Sequence, residues 1–241
     1  LFYTGFLNIY KEAGFTSFDV VAKLRGILHQ KKIGHLGTLD PDACGVLPIA
    51  LGKATKTIDI ISDNTKEYEA TLRLGIVTDT YDMSGRVLSS SSIDVSEEEV
   101  RDAIMAFVGH SMQVPPMYSA KKVNGKKLYE LAREGKEIER KPVSIDIYKI
   151  IIKEICFPDV RFVVSCSKGT YIRSLCHDIG ERLGCGGTMS KLIRTKSGSF
   201  YINDSIKLHE LEQLVNENKI EKCLLPIDYV FADRPAYVVK E

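Results

Sequence analysis

No apolar run in this chain approaches the ~18–20 residues that a membrane-crossing helix needs, so no membrane span is expected. Of its six cysteines (Cys44, Cys156, Cys166, Cys176, Cys185, Cys223), no two have Cys-x-x-Cys spacing, and no Cys/His set has the spacing of a zinc site. They stand in mainly apolar surroundings and read as reduced and mostly buried, which fits a cytoplasmic protein. There is no Gly-rich dinucleotide motif, no signal-peptide pattern, no repeat and no low-complexity tract. Charge of one sign is lacking too: 33 basic and 32 acidic side chains leave a net +1. What remains is an ordinary globular composition, 44% hydrophobic and 27% charged over 241 residues. That suits a sizeable core in one large domain or two.

The charge is unevenly spread. Residues 1–56 carry a net +3, residues 121–141 a net +4 and residues 165–198 a net +4, while residues 57–120 carry −7. Three basic islands on an otherwise acidic chain can converge on one face and meet a polyanion, or remain solvated surface.

The most informative stretch is Gly34 to Pro48, Gly-His-Leu-Gly-Thr-Leu-Asp-Pro-Asp-Ala-Cys-Gly-Val-Leu-Pro. Asp40 sits in it among Leu36, Leu39, Val46 and Leu47, and the glycines let the backbone turn tightly. Pro41 pushes Asp40 out of the helical region. Two readings are open. Asp40 is a nucleophile, or it is the N-cap of a short helix with Pro41 first and Gly45 as the stop, and the two do not exclude each other.

Around this stretch the pattern alternates between strands and helices. Residues 5–11 read as a strand ending at Lys11. Thr16 or Ser17 caps a helix buried along Val20, Val21, Leu24, Ile27 and Leu28. Tyr68, Ala70, Leu72 and Leu74 form the inner face of a strand. Asp79–Asp82 reads as a structural loop. Ser96 and Glu99 make a capping box opening a helix that runs to Gly109. Residues 113–122 are irregular, with prolines and lysines, and suit either a phosphate-docking loop or a surface insertion. Residues 128–133 look helical. Residues 143–152 and 160–165 read as strands. A helix buried along Ile172, Leu175, Cys176, Ile179 and Leu183 follows, with Arg173 in its first turn, where the helix dipole disfavours a cation unless an anion is near. Residues 184–187 read as a flexible joint, 206–215 as a helix and 236–239 as a strand.

Five motifs occur in order: Gly34 to Pro48; Lys66-Glu67-Tyr68; Gly75 through Thr78-Asp79-Thr80; Val114-Pro115-Pro116-Met117-Tyr118-Ser119-Ala120; and Ser167-Lys168-Gly169-Thr170-Tyr171-Ile172-Arg173-Ser174-Leu175. From about residue 5 to about residue 230 the chain resembles the TruB family of bacterial tRNA pseudouridine-55 synthases. The resemblance implies an α+β pseudouridine synthase fold. Its central sheet is mixed and mainly antiparallel, flanked by helices, with an inserted basic loop and helix at about 110–142 and an active cleft across the sheet. It implies an isomerase that converts uridine 55 in the tRNA T arm to pseudouridine. Asp40 matches the nucleophile, Tyr68 the tyrosine stacked on the target base, and Arg173 the arginine paired with the nucleophile. His35 matches the histidine that holds the flipped-out loop, Tyr171 and Leu192 match residues lining the uracil pocket, and Lys11 matches a lysine near the site. Two departures stand out. The family usually has Lys-Pro-x-Gly where this chain has Lys11-Glu12-Ala13-Gly14. It also usually carries a C-terminal RNA-binding domain of the PUA type, of which only a first strand is expected within 226–241, after a catalytic domain spanning 1–225.

The implied reaction breaks a C–N bond and forms a C–C bond without redox or phosphate transfer, so neither cofactor nor metal is expected. A carboxylate can act covalently, and a tyrosine hydroxyl aided by a cation can remove the C5 proton. The target base must be extruded from a folded RNA loop at a cost of a few kcal/mol. The expected partner is tRNA, met by a cytoplasmic monomer. The rival is a non-catalytic RNA-binding protein or tRNA-folding chaperone on the same scaffold.

Overall fold

A computed structural model describes residues 2–61, 65–119, 121–123 and 125–231. In chain order the strands are β1 (Gly5–Lys11), β2 (Ile33–His35), β3 (Cys44–Leu51), β4 (Lys66–Leu74), β5 (Ile76–Thr78), β6 (Val87–Ser90) and β7 (Gly109–Gln113). They continue with β8 (Lys122–Val123), β9 (Lys126–Lys127), β10 (Val143–Cys156), β11 (Asp159–Cys166), β12 (Gly187–Ser197) and β13 (Phe200–Tyr201). The helices are α1 (Ser17–Ile27), α2 (Ile58–Ile61), α3 (Glu97–Met105), α4 (Leu128–Arg133), α5 (Ile172–Leu183) and α6 (Leu208–Asn216). None of the described helices is long and apolar enough to cross a membrane. The strand expected at 236–239 lies outside the described residues. The chain divides into two compact units, Leu1–Lys66 with Ile193–Glu241, and Glu67–Leu192.

In the first unit β3 is the central strand. β1 pairs with it antiparallel from Gly5↔Leu51 to Lys11↔Gly45, β2 pairs antiparallel with its second half, and β12 runs parallel to it at Ile193↔Cys44 and Arg194↔Gly45. The two-residue period of a strand sends alternate side chains to opposite faces. Leu7, Ile9, Leu47, Ile49 and Leu51 meet Val20 and Leu24 of α1 and Leu211 of α6. Phe6, Val46 and Ala50 meet Leu36, Ala54 and Phe200 on the other face. A strand buried on both faces needs a continuous apolar run, which Val46–Leu51 supplies. Each such side chain contributes about 1.5–3 kcal/mol.

This pairing rules out the short helix expected from Asp40 to Gly45. No helix starts at Asp40; a single turn forms, with the Ala43 N–H donating to the Asp40 carbonyl at 3.1 Å. Gly45 is a β3 residue with φ +102°. A one-turn helix nucleus is unfavourable on its own, whereas β3 gains seven paired positions with β1.

In the second unit the strand order runs β12, β4, β11, β10, β7, with β10 antiparallel to both neighbours. β4 alternates as expected, with Lys66, Tyr68, Ala70, Leu72 and Leu74 buried. α3 and α5 pack together. α3 has the expected capping box at Ser96 but ends at Met105, because the next bonds, Phe107 to Ile104 and Val108 to Met105, tighten the turn. Gly109 therefore opens β7 instead of closing the helix. Residues 184–187 are a packed junction and no flexible joint. Gly184 is the left-handed residue that ends α5, and Gly187 lies so close to Gly180 that a Cβ on Gly180 would stand 2.0 Å from the Gly187 nitrogen. The helices expected at 128–133 and 206–215 and the strands expected at 143–152 and 160–165 all form, with β10 reaching Cys156.

Candidate active site

The Asp40 loop connects β2 to β3 in the first unit and is tied down at several points. Ser17, at the first turn of α1, accepts from the Leu39 N–H at 2.8 Å and donates to the Leu39 carbonyl at 3.2 Å. The Gly14 N–H donates to the Pro41 carbonyl at 3.0 Å. Two buried cations complete the frame. Lys11 ends β1, is 1% exposed, and spends its ammonium on the carbonyls of Glu12, Phe15 and Pro41 at 3.1, 2.6 and 2.9 Å. Arg194, also 1% exposed, donates from Nε to the Val46 carbonyl at 2.8 Å and from Nη1 and Nη2 to the Thr38 and Gly37 carbonyls at 3.2 Å each. Hydrogen bonds from a charged donor contribute ~1.5–3 kcal/mol each, so these two side chains restrain the loop more strongly than its neutral contacts. Asp40 itself is half-buried on this frame.

The electrostatics follow from burial. Burial pushes the Lys11 ammonium below its ordinary pKa, opposed by the nearby Cys44, Asp40 and Asp42. His35, at the end of β2, is held below the usual imidazole value first by burial and then by the Arg194 charge. Its Nδ1 is buried with no partner among the described residues.

The second unit holds Arg173, Tyr171, Tyr68 and Leu192. Arg173, 5% exposed, lies in the first turn of α5. It donates from Nη1 to the Thr80 carbonyl at 3.1 Å and from Nη2 to the Tyr118 carbonyl at 2.7 Å, and Nη1 stands 3.4 Å from the Asp82 carboxylate. A cation there is disfavoured by the helix dipole by ~0.3–1 kcal/mol, and the Asp82 pair with two carbonyls offsets that. The Asp79–Asp82 segment is therefore an arginine cradle as well as a loop. Thr80 and Ser84 donate their hydroxyls to Asp82 Oδ1, which leaves Oδ2 for the guanidinium. Tyr81 takes φ +63° and stacks on His177 at 3.9 Å.

The irregular 113–119 segment is no free surface loop. Pro115, Pro116, Met117 and Ser119 are buried. The Gln113 side-chain amide holds Tyr171 by a pair of hydrogen bonds, accepting from its N–H at 2.8 Å and donating to its carbonyl at 3.0 Å. Ser174 donates to the Val114 carbonyl at 3.0 Å. The first turn of α5 thus gathers this segment around Tyr171 and Arg173. Tyr68 is buried at the start of β4, and Leu192 is buried on β12. β12 adjoins β4 through the Ser190 hydroxyl, which donates to the Thr71 carbonyl at 3.2 Å.

Two family models match this chain, "TruB family pseudouridylate synthase (N terminal domain)" over residues 25–172 and "tRNA pseudouridylate synthase B C-terminal domain" over residues 173–232. The chain belongs to the TruB family of pseudouridylate synthases. Curated relatives carry the name tRNA pseudouridine synthase B. The one from Clostridium novyi is 58% identical over 86% of this chain and 72% of its own length. The one from Clostridium acetobutylicum is 53% identical over 95% and 80%. Among solved structures, a chain of a Cbf5-Nop10-Gar1 complex superposes with TM-score 0.75 at 34% identity over 94% of this chain. A chain of an H/ACA RNP bound to a substrate RNA containing 2'-deoxyuridine gives 0.71 at 31% over 94%. The present chain spans 61% and 60% of those two solved chains.

Three side chains that anchor these segments, each within its own unit, were not singled out by sequence reading: Asp82 and Gln113 in the second unit and Arg194 in the first. Arg194 left a usable signal, since it stands two residues after the apolar Leu192, on the same buried phase of its strand. A strongly basic residue on a buried phase is rare unless it is partnered.

Proposed function

We propose that this chain isomerises uridine 55 in the T arm of tRNA to pseudouridine, with Asp40 as the nucleophile and Tyr68 and Arg173 as the other catalytic residues. The observation that carries the reading is a half-buried carboxylate on a loop pinned by two buried cations, in a chain of the TruB family. Pinning of that kind supplies the preorganisation a covalent step needs. Asp40 attacks the flipped nucleotide, the C–N glycosidic bond breaks, the uracil turns and the C5–C1′ bond forms; the bond to Asp40 breaks again to restore the carboxylate, C5 loses its proton and the freed ring nitrogen gains one, so the product is an isomer of the substrate. Tyr68 offers the base an aromatic face and a hydroxyl for the C5 proton. Arg173 carries the positive charge that favours ionised groups in a dry pocket. His35, Tyr171, Leu192 and Lys11 serve substrate binding, with Lys11 acting through the main chain it holds. We read residues 1–225 as the catalytic body and 226–241 as the start of a PUA-like domain. The partner is tRNA, bound by a cytoplasmic monomer.

The test is Asp40→Asn on a T-arm stem-loop. Pseudouridine formation falls below detection while stem-loop affinity stays within about threefold, since a carboxylate-to-amide change leaves phosphate contacts intact. Turnover at the unmutated rate would overturn the reading.

A further inference from the structure

We infer that Arg194 is a positioning residue for the reaction: its planar guanidinium locks the two limbs of the Asp40 loop in one geometry, a task that an ordinary cation at the same place does not fulfil. The inference rests on the reading of Asp40 as the nucleophile.

Arg194 has no role in the chemistry proposed above, yet it is among the largest fully buried side chains of the chain. Taking a cation out of water is costly unless its donors are satisfied. Its three hydrogen bonds go to the Asp40 loop and to the strand that continues it. Gly37 and Thr38 lie on the limb that leads into Asp40, and Val46 lies on the limb that leads away. One rigid fork therefore bridges both limbs. Its main chain is fixed at the same place, because Arg194 stands opposite Gly45 in the parallel β3–β12 pair. A Cβ at Gly45 would come within 2.3 Å of the Arg194 carbonyl, and φ there is +102°. Glycine lets the strand carrying the arginine approach the loop, and the arginine then closes the loop from within.

Arginine and lysine differ in the property at stake. A guanidinium presents donors in a fixed plane, whereas an ammonium is a single centre on a flexible stem. Lys11 shows the second solution nearby: its one nitrogen serves carbonyls of Glu12, Phe15 and Pro41 gathered at one point. Carbonyls of Gly37, Thr38 and Val46 spread along a fork cannot all be met from one point. Arg194→Lys therefore keeps the charge and most of the volume and removes the bridge.

The experiment compares Arg194→Lys with the unmutated chain on a T-arm stem-loop, measuring single-turnover rate, stem-loop affinity and the thermal unfolding midpoint. A loop displaced by about 1 Å costs on the order of 100-fold in rate. The expected result is a rate fall of about that size, with affinity within about threefold and an unfolding midpoint within a few degrees. Arg194→Gln, lacking both fork and charge, is slower still. A rate within about threefold of the unmutated chain overturns the inference. So does a protein that unfolds, or one whose affinity falls in step with its rate, because Arg194 is then a structural residue. Asp40→Asn run alongside separates the two readings. If it turns over normally, the nucleophile assignment falls whatever Arg194→Lys does. If it is inert while Arg194→Lys runs at full rate, only the positioning role falls.

Discussion

At the scale of single residues, the chain buries several ionisable groups wholly or in part, and they are not all satisfied alike. Lys11, Arg173 and Arg194 are satisfied by carbonyls, with Asp82 added at Arg173. For the half-buried Asp178, on α5, no such help comes from the described residues. Burial, and then the nearby Glu181 carboxylate, push it up from 3.8 to about 6. Its folded pKa therefore lies above its unfolded one, so between those values the folded chain binds more protons than the unfolded chain. The stabilisation from neutral Asp178 is present below about pH 4 and is lost as pH rises through about 6. The group is partly solvated, which screens the effect to roughly 1–2 kcal/mol. Asp178→Asn, permanently neutral, is expected to raise stability at pH 7 by about 1 kcal/mol and to flatten the stability profile between pH 4 and 6. Urea unfolding at a series of pH values checks both.

At the scale of elements, α5 and β12 carry Arg173 and Arg194, and their junction is set by two glycines. On an exposed helix, Gly→Ala stabilises by roughly 1 kcal/mol. At Gly180 the sign reverses, because the new Cβ would stand 2.0 Å from the Gly187 nitrogen and 2.3 Å from the Gly186 carbonyl carbon. Main chain cannot step aside as a flexible side chain can. Gly180→Ala is expected to destabilise by about 2–3 kcal/mol, within the range of overpacking, read as a lowered unfolding midpoint. Local elements of this kind were largely legible in the sequence. The alternation of β4, the Thr16 cap of α1 and the apolar stripe of α5 are signals spaced two to four residues apart. What was not legible came from distance along the chain. Residues 190–196 looked like the end of the basic island at 165–198, because nothing near Arg194 tells that its donors serve Thr38, 156 positions earlier. The segment around Asp82 looked merely structural, because Arg173 meets Thr80 across 93 positions. The helix-start signal at Asp40 was real as local chemistry, and lost to a pairing with β1 that no local pattern contains.

At the scale of the whole molecule, the near-zero net charge hides the basic islands, and RNA binding is where they are expected to register. The island at 121–141 projects Lys126 and Arg133 into solvent, Arg133 over the ring of Tyr129 at 5.4 Å. Neither side chain belongs to the proposed catalytic set, and neither has a buried partner among the described residues, so replacing them is expected to spare the fold. A phosphate contact adds affinity without regard to sequence and releases counterions, giving a dependence of log affinity on log salt of about −0.7 to −0.9 per contact. Lys126→Gln combined with Arg133→Gln is therefore expected to weaken stem-loop binding about equally for T-arm and unrelated RNAs. The salt slope flattens by roughly one for each contact removed. The single-turnover rate at saturating RNA stays unchanged, because the Asp40 loop is untouched. Filter binding across a salt series, paired with single-turnover assays, separates the cases. An unchanged slope would assign this island to solvated surface, and a lowered saturating rate would tie it to the chemistry itself.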